Sequence, residues 1–210
     1  TTGRAPTLRY LGRTHCVSIA FLNELVLSPQ FSDADFAGDR ATMKSTSGVF
    51  LALYGPHTFF PLTSQSKKQT CVSHSTVEAI VAADHAIRTA GLPALPLWEK
   101  VLDRTLALDV YQDNQATARI MTTGRAPTLR YLGRTHCVSI AFLNELVLIP
   151  QITLHDCISE VLAADIFTKH FTNREKWERV CMLIGIVTTS YMTKLKPLKA
   201  PTPACVAVSY

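Results

Sequence analysis

Two carboxylates on alternate positions mark residues 31–38. Asp33 and Asp35 lie two residues apart in an otherwise apolar stretch that begins with Phe31 and ends at Gly38. In a β-strand, such residues point to the same face of the sheet. Adjacent acids repel each other, and their burial requires a cation that neutralises them. Mg²⁺ meets this need because it prefers carboxylate oxygens. A surface turn with loop-capping acids is the alternative interpretation.

Three further acids lie near the ends of predicted elements: Glu78 at the first helix start, Asp113 after the fourth strand, and Asp165 in the helix after the fifth strand. If the fourth strand pairs beside the first, these acids converge with Asp33. Four carboxylates in one pocket can hold two Mg²⁺ ions about 4 Å apart. Taken singly, each acid has a structural alternative. The alternatives are a turn acid for Asp33, a capping-box partner for Glu78, an N-cap for Asp113 and a solvated helix face for Asp165.

The hydrophobic pattern predicts a mixed α/β domain with the order β-β-β-α-β-α-α-β-α. Sequential hairpins followed by βα crossovers imply a mixed five-stranded sheet with helices on its faces. Residues 64–69 are interpreted as a polar connector, Ser75 and Glu78 as a capping box, and Gly91 as the end of the first helix. The predicted strands are 31–36, 47–54, 58–62, 106–111 and 152–155, and the predicted helices are 75–90, 115–121, 138–148, 160–169 and 173–186.

Length and composition indicate one ordinary globular domain with a full core, or one domain with appendages. The chain has 210 residues and no uninterrupted apolar run of about 18 residues, so no transmembrane helix is expected. The N-terminus lacks a signal-peptide layout, and the six cysteines have no metal-binding spacing. We therefore expect reduced thiols in an intracellular protein that is not secreted.

The net charge of +5 lies outside the predicted domain. Residues 1–30 carry +2 and the segment after residue 186 carries +3, so residues 31–186 are neutral overall. A role in nucleic-acid binding must therefore depend on local basic patches.

An internal repeat separates the ends of the chain from the predicted domain. Residues 122–151 repeat residues 1–30 with one difference, Ile149 in place of Ser28. Two identical segments cannot occupy one position in one core, so we expect the second copy to be native. The predicted organisation is a dispensable appendage over 1–30 with a loosely docked helix near 17–26, the mixed α/β domain over 31–186, and a disordered proline-containing tail over 187–210.

Five ordered motifs carry a resemblance to a known family. They are SDADFAGD (32–39), STSG (45–48), SKKQ (66–69) with STVEA nine residues on, QDNQ (112–115) and ADIFTK (164–169). In this order they resemble the ribonuclease H domain at the end of copia-type retrotransposon polyproteins. The similarity covers about 31–186.

The resemblance implies an RNase H fold and metal-dependent cleavage of the RNA strand of an RNA:DNA hybrid. It assigns the catalytic metal ligands to Asp33, Glu78, Asp113 and Asp165, with two Mg²⁺ ions for which Mn²⁺ can substitute. Asp35 is not expected to bind metal. The implied partners are the hybrid and a reverse transcriptase domain of the parent polyprotein, with no membrane. The implied location is cytoplasmic, in a virus-like particle, or nuclear.

The chain departs from the family pattern at several motif edges. The family's EAE appears as Glu78-Ala79-Ile80, its tryptophan before SKKQ is absent, and a proline and a glutamine appear as Ile158 and Leu162. These changes put packing in doubt more than chemistry.

A hybrid duplex would be held through its phosphates and 2′-hydroxyls. His136 could orient a phosphate, although a structural role is favoured, and His155 is assigned to the fifth strand without a catalytic role. Solvation is the alternative for each surface cation. The candidate contacts are Lys67, Lys68, Asn114, Gln115, Arg119, Arg125, Arg130 and Arg134.

Three functional hypotheses remain open from the sequence. The first is an active ribonuclease H, indicated by the four acids. The second is an inactive retrotransposon remnant that retains an RNase H-like nucleic-acid-binding fold, indicated by the duplication and the altered motif edges. The third is a resolvase-like nuclease acting on DNA junctions, which the SKKQ and ADIFTK motifs disfavour.

Overall fold

The computed structural model describes residues 27–39, 41–55 and 58–186. The predicted helix near 17–26 and the predicted tail over 187–210 lie outside these residues. Among the described helices, none combines the length and apolarity needed to cross a membrane.

One mixed five-stranded sheet organises the domain. Its strands are β1 (Leu27–Asp39), β2 (Lys44–Tyr54), β3 (Phe59–Lys68), β4 (Ala107–Gln112) and β5 (Ile152–Asp156). Their spatial order is β3-β2-β1-β4-β5. β1 pairs antiparallel with β2 and parallel with β4, and β5 is parallel to β4. This confirms the predicted α/β class, and the first and fourth strands are neighbours, which is the condition for the acids to converge.

Helices connect the strands, and three of them begin at polar caps. The side chains of Asn114, Ser139 and Asn173 each accept backbone N–H groups in the first turn of the helix that follows, which satisfies donors that the helix leaves unpaired. The helices are α1 (Ser75–Ala86), α2 (Leu92–Leu102), α3 (Gln115–Thr123), α4 (Leu132–Thr135), α5 (Ile140–Val147) and α6 (Arg174–Leu183). Short 3₁₀ turns span Pro127–Leu129, Ser159–Val161 and Ala163–Phe167.

β2 is buried on both faces, as its continuous apolar run predicts. Val49, Leu51 and Leu53 belong to the larger core, which includes Val77 and Ile80 of α1. Phe50 and Ala52 point to the opposite face, where they join a smaller core. The sheet therefore has apolar layers on both sides.

Aromatic rings cross the smaller core from strand to strand. Phe31 of β1 stacks on Tyr111 of β4 with ring centroids 4.8 Å apart, and Tyr111 stacks on His155 of β5 at 4.9 Å. Phe167 stacks on Phe50 of β2 at 6.2 Å. These contacts attach the 3₁₀ turn Ala163–Phe167 to the sheet, and Asp165 lies within this turn.

The first and third strands differ from the predictions. β1 begins at Leu27, not at residue 31, so the last four residues of the first repeat copy lie in the sheet. β3 extends to Lys68, so residues 64–68 belong to a strand and the predicted connector was wrong there. The polar side chains of that segment are tolerated because β3 is an edge strand.

Three helix predictions were also wrong. Gly91 does not end the first helix, because a π-helical turn over Ile87–Gly91 continues the chain into α2. The predicted capping box does not form, since the N-cap position is His74 and no side chain caps it. The helix predicted over 160–169 is replaced by two 3₁₀ turns, of which Ala163–Phe167 packs against the sheet.

Truncation tests the role of the first copy's last residues. We expect a chain that begins at Phe31 to unfold at a lower temperature than one that begins at Leu27. The shorter chain loses four of the five residue pairs between β1 and β4, and a loss of about 3 kcal/mol corresponds to roughly 6–12 °C for a domain of this size. Circular dichroism melts of both proteins measure the difference. Equal unfolding temperatures would contradict the structural role of residues 27–30.

Candidate active site

Three aspartates from separate segments meet at one end of the sheet. Asp33 lies within β1, Asp113 follows β4 directly, and Asp165 lies in the turn over Ala163–Phe167. Each offers a carboxylate oxygen, and these oxygens all lie within 4.8 Å of one another. We call these three residues the aspartate triad. The structure thus brings together three of the four predicted acids.

Each carboxylate of the aspartate triad accepts a hydrogen bond from a nearby side chain. The Thr168 hydroxyl donates to Asp33 Oδ2, and the Ser159 hydroxyl donates to Asp113 Oδ2 at 2.6 Å. The Lys169 ammonium donates to Asp165 Oδ1 at 2.7 Å. These donors fix the carboxylate orientations.

The protonation of Asp165 reflects its surroundings. Burial raises the pKa of Asp165 to about 7, and the neighbouring charges of Asp33 and Asp113 act in the same direction. The Lys169 ammonium offsets part of this effect. An additional cation at the triad would favour the ionised carboxylate.

Glu78 lies apart from the triad. Its side chain in the first turn of α1 has no solvent exposure, and neither carboxylate oxygen has a hydrogen-bond partner among the described residues. Burial raises the pKa of Glu78, which the nearby Ser45 hydroxyl and Ser73 backbone amide only partly offset. The charge of Asp35 also raises the pKa of Glu78. The pKa of Asp35 is itself raised by burial and by the charge of Asp33. The metal-ligand role of Glu78 stays a prediction.

Residues of the SKKQ and STSG motifs hold the first turn of α1. The buried Gln69 amide donates to Ser47 Oγ at 2.9 Å and to the Glu78 carbonyl at 3.0 Å. On the other side, the Thr117 hydroxyl of α3 donates to the Thr76 carbonyl at 3.3 Å. These bonds set the position from which the Glu78 side chain projects.

The Gln112 side chain fixes the backbone at Asp113. Its side-chain oxygen accepts the backbone N–H groups of Asp113 at 3.1 Å and of Asn114 at 3.4 Å. Asn114 then caps α3 through the Thr117 amide at 2.9 Å. The QDNQ motif therefore forms the strand-to-helix transition that presents Asp113.

Gly48 permits the close approach of the Asp165 turn to the sheet. It pairs with Asp33 across β1 and β2. A Cβ atom at this position would lie 2.7 Å from both the Ala164 carbonyl oxygen and Thr168 Cγ2. A larger residue at position 48 would displace the turn that carries Asp165 and Thr168.

The predicted nucleic-acid contacts are dispersed over the surface. Lys67 and Lys68 are exposed on edge strand β3, and Lys68 forms an ion pair with Asp39. Asn114 and Gln115 are beside Asp113, and Asn114 is already engaged as a helix cap. Their roles stay predictions. The predicted arginines are exposed on α3 and the segment that follows it: Arg119, Arg125, Arg130 and Arg134.

A cationic cleft beside the triad was missed by sequence reasoning. Its volume is about 430 Å³, and Asp165 forms part of its wall together with Lys169, His170, Lys176 and Arg179. Within the described residues, Lys176 and Arg179 make no side-chain hydrogen bond or ion pair. The sequence held two signals for this cleft: a lysine four residues after Asp165, and two cations three residues apart on α6.

The two histidines considered from the sequence, His136 and His155, each contact a neighbouring side chain within the fold. His155 lies on β5 as predicted, with Nε2 2.7 Å from Asp109 Oδ1. His136 Nδ1 is 2.7 Å from the Thr135 hydroxyl, and burial lowers the pKa of His136. It does not cap the next helix, because Ser139 occupies that position.

The donor set of the aspartate triad fits a hard divalent cation. The triad supplies carboxylate oxygens from three directions, and Mg²⁺ takes such ligands while keeping several waters. The buried Glu78 carboxylate, without a hydrogen-bond partner among the described residues, is a further oxygen donor on the first helix, outside this group. Asp33, Asp113 and Asp165 are therefore the residues that could hold a metal ion.

Comparisons with known proteins give similar solved structures. A ribonuclease H1 isolated from compost by a metagenomic approach has 14% identity and a TM-score of 0.47, covering 68% of this chain and 92% of that chain. The PFV RNase H domain in solution has 15% identity and a TM-score of 0.42, covering 74% and 90%. The protease–reverse transcriptase of prototype foamy virus has 13% identity and a TM-score of 0.40, covering 77% and 21%. No family model and no curated protein matches the chain.

The raised pKa of Asp165 predicts a pH-dependent stability. The folded-state pKa of about 7 lies above the ordinary 3.8, so folding is favoured below this range and weakened as the pH rises to 7. We expect Asp165→Asn to raise the unfolding temperature in EDTA more at pH 8, above the whole range, than at pH 5.5, where only about half of this stability has been lost. Thermal melts at both pH values measure this, with exposed Asp156→Asn as control. The same change at both pH values would contradict the assignment.

Substitution of Gly48 tests the close approach of the Asp165 turn. We expect Gly48→Ala to lower the free energy of unfolding by about 1–3 kcal/mol, because the added methyl group overpacks the contact with Ala164 and Thr168. Urea unfolding measures the change. Gly133→Ala is the control, since its Cβ would lie 3.9 Å from the nearest atom, the Val138 carbonyl oxygen. Equal effects of the two substitutions would show that the close approach is not required.

Proposed function

We propose that the protein is a metal-dependent ribonuclease H that cleaves the RNA strand of RNA:DNA hybrids. The observation that carries the proposal is the meeting of Asp33, Asp113 and Asp165 within 4.8 Å. The resemblance to copia-type domains assigns metal binding to these same residues. Agreement between an ordered set of motifs and an independent geometric cluster supports the proposal more than either alone.

The aspartate triad would hold Mg²⁺ or Mn²⁺, and Glu78 is the proposed fourth ligand. A pair of divalent ions activates a water and stabilises the leaving oxygen of a phosphodiester. The protein's own part is positioning. Thr168 and Ser159 orient Asp33 and Asp113 through their hydroxyls, and Gln112 fixes the backbone at Asp113.

The cationic cleft beside Asp165 is the proposed contact for the hybrid's phosphates near the scissile bond. Lys176 and Arg179, which make no side-chain hydrogen bond or ion pair within the described part of the chain, lie on the wall that also includes Asp165. Phosphate contacts of this kind fix the register of a duplex and do not read its sequence. More distant phosphates could reach Lys67, Lys68, Arg119 and Arg134, together with the amides of Asn114 and Gln115.

The proposed setting is a copia-type retrotransposon polyprotein, in which a reverse transcriptase domain would supply further grip on the hybrid. We accordingly propose an intracellular location, cytoplasmic or nuclear. The proposed polyprotein setting and the proposed location both depend on the sequence motifs at 32–39 and 164–169.

An inactive remnant is the second candidate. Glu78 is outside the group of oxygens within 4.8 Å of one another, and the altered motif edges include Ala79 and Ile80 directly after it. In that case the fold would persist and bind nucleic acid without useful turnover.

Cleavage of an RNA:DNA hybrid tests the proposal. Both strands carry distinct end labels, and the chain is compared with Asp113→Asn in Mg²⁺. We expect cleavage of the RNA strand only, and a loss on the order of 100-fold or more in the variant, because a lost ligand removes several kcal/mol of transition-state stabilisation.

Asp103→Asn is the matched control, because Asp103 is exposed and adopts a left-handed conformation, with φ of 50°, that asparagine also tolerates. No cleavage by a parent protein with a cooperative melt would favour the remnant. Cleavage that persists in Asp113→Asn would overturn the assignment of the site.

A further inference from the structure

Lys169 already supplies a positive charge to the aspartate triad. Its ammonium nitrogen lies 2.7 Å from Asp165 Oδ1 and 3.7 Å from Asp33 Oδ2. Both carboxylates are buried, and the lysine side chain is 37% exposed. The ammonium therefore contacts two of the three carboxylates from the solvent side.

The contact is enforced by the short path between Asp165 and Lys169. The residues are four apart, and the Lys169 backbone N–H donates to the Asp165 carbonyl at 2.9 Å. Thr168, between them, bonds both Asp33 and the Asp165 carbonyl. The same short segment therefore contributes a triad acid, a donor to a second acid, and the ammonium.

We propose that Lys169 is a tethered counter-cation that competes with a divalent metal ion for the aspartate triad. This inference rests on the proposed function, and deepens it by naming what regulates metal entry. With no metal bound, the ammonium offsets the repulsion among the three carboxylates. Metal binding then requires the ammonium to leave Asp165.

The Lys169 side chain can turn into the cationic cleft when a metal ion displaces it from Asp165. Lys169 lines the cationic cleft, which also presents the exposed carboxylate of Glu160. The cleft is the proposed contact for substrate phosphates, so the ammonium released from Asp165 would become available to them there. The proposal thus couples metal entry to the charge that faces the hybrid.

The expected size of the effect follows from competition. If the ammonium occupies the triad in 90% of molecules, the competent fraction is about one tenth, and the apparent dissociation constant is about tenfold weaker than the intrinsic one. Lys169→Met should therefore bind Mn²⁺ about tenfold more tightly than the parent.

Titration of the full chain with Mn²⁺ tests this expected difference in affinity without relying on activity. Electron paramagnetic resonance of free Mn²⁺ monitors the binding. Lys176→Met is the matched control, because it removes the same charge from the same cleft without touching the triad. Supporting results are a tenfold tightening in Lys169→Met with at most a twofold change in Lys176→Met. Equal, small changes in Mn²⁺ affinity in both variants would show that only the overall positive charge of the cleft matters, and would overturn the proposal.

A second variant keeps the test decisive if Lys169→Met is unstable. Lys169→Arg retains the charge, so we expect it to bind Mn²⁺ as weakly as the parent or more weakly. Folding of Lys169→Met only in the presence of Mn²⁺ would also support the proposal. Weaker Mn²⁺ binding in a folded Lys169→Met, or tightening in Lys169→Arg, would overturn it.

Failure of this inference is distinguishable from failure of the proposed function. Parent protein that binds Mn²⁺ and cleaves hybrid, with an unchanged affinity in Lys169→Met, would overturn only the role of Lys169. Absence of Mn²⁺ binding in both the parent and Lys169→Met would overturn both.

Discussion

Repulsion among three closely spaced carboxylates is the constraint on which the site depends. Asp33, Asp113 and Asp165 bring oxygens within 4.8 Å of one another, and each is largely buried or half-buried. Like charges this close in a poorly solvated setting oppose folding unless positive charge or a proton accompanies them. The fold supplies a neighbouring ammonium, two hydroxyl donors and a raised carboxyl pKa. Apolar layers on both faces of the sheet provide the compensating stability.

The smaller core shows how packing serves the chemistry. The aromatic rings on β2, β1 and β4 form the surface on which the Asp165 turn rests, through Phe167 against Phe50. The missing side chain at Gly48 lets that turn come close enough for Thr168 to reach Asp33. Small and aromatic residues therefore determine the distance between two carboxylates that come from distant parts of the chain.

The sequence predicted the mixed five-stranded α/β sheet because this depends on local hydrophobic pattern, and three of the four acids that its ordered motifs single out meet in the structure. It failed where tertiary contacts override local signals. Gly91 looks like a helix end, yet it is needed for close packing, since a Cβ there would lie 2.2 Å from the Gln30 side chain. Residues 160–169 have a helical pattern, but they form 3₁₀ turns, and the turn Ala163–Phe167 packs against the sheet. The ammonium of Lys169 at the triad could not be read from the chain, because its position depends on where Asp33 lies in space.

The two repeat copies differ at one position, and the structure places that difference in opposite surroundings. Ser28 is 2% exposed within β1, whereas Ile149 is 41% exposed in a turn before β5. Nearly the same tetrapeptide thus forms a strand in one place and a turn in the other, with the polar residue inside and the apolar residue outside. Any assignment based on a short window of sequence must give both copies the same answer. The information that separates them lies in the flanking residues, so a copied segment does not carry its conformation with it.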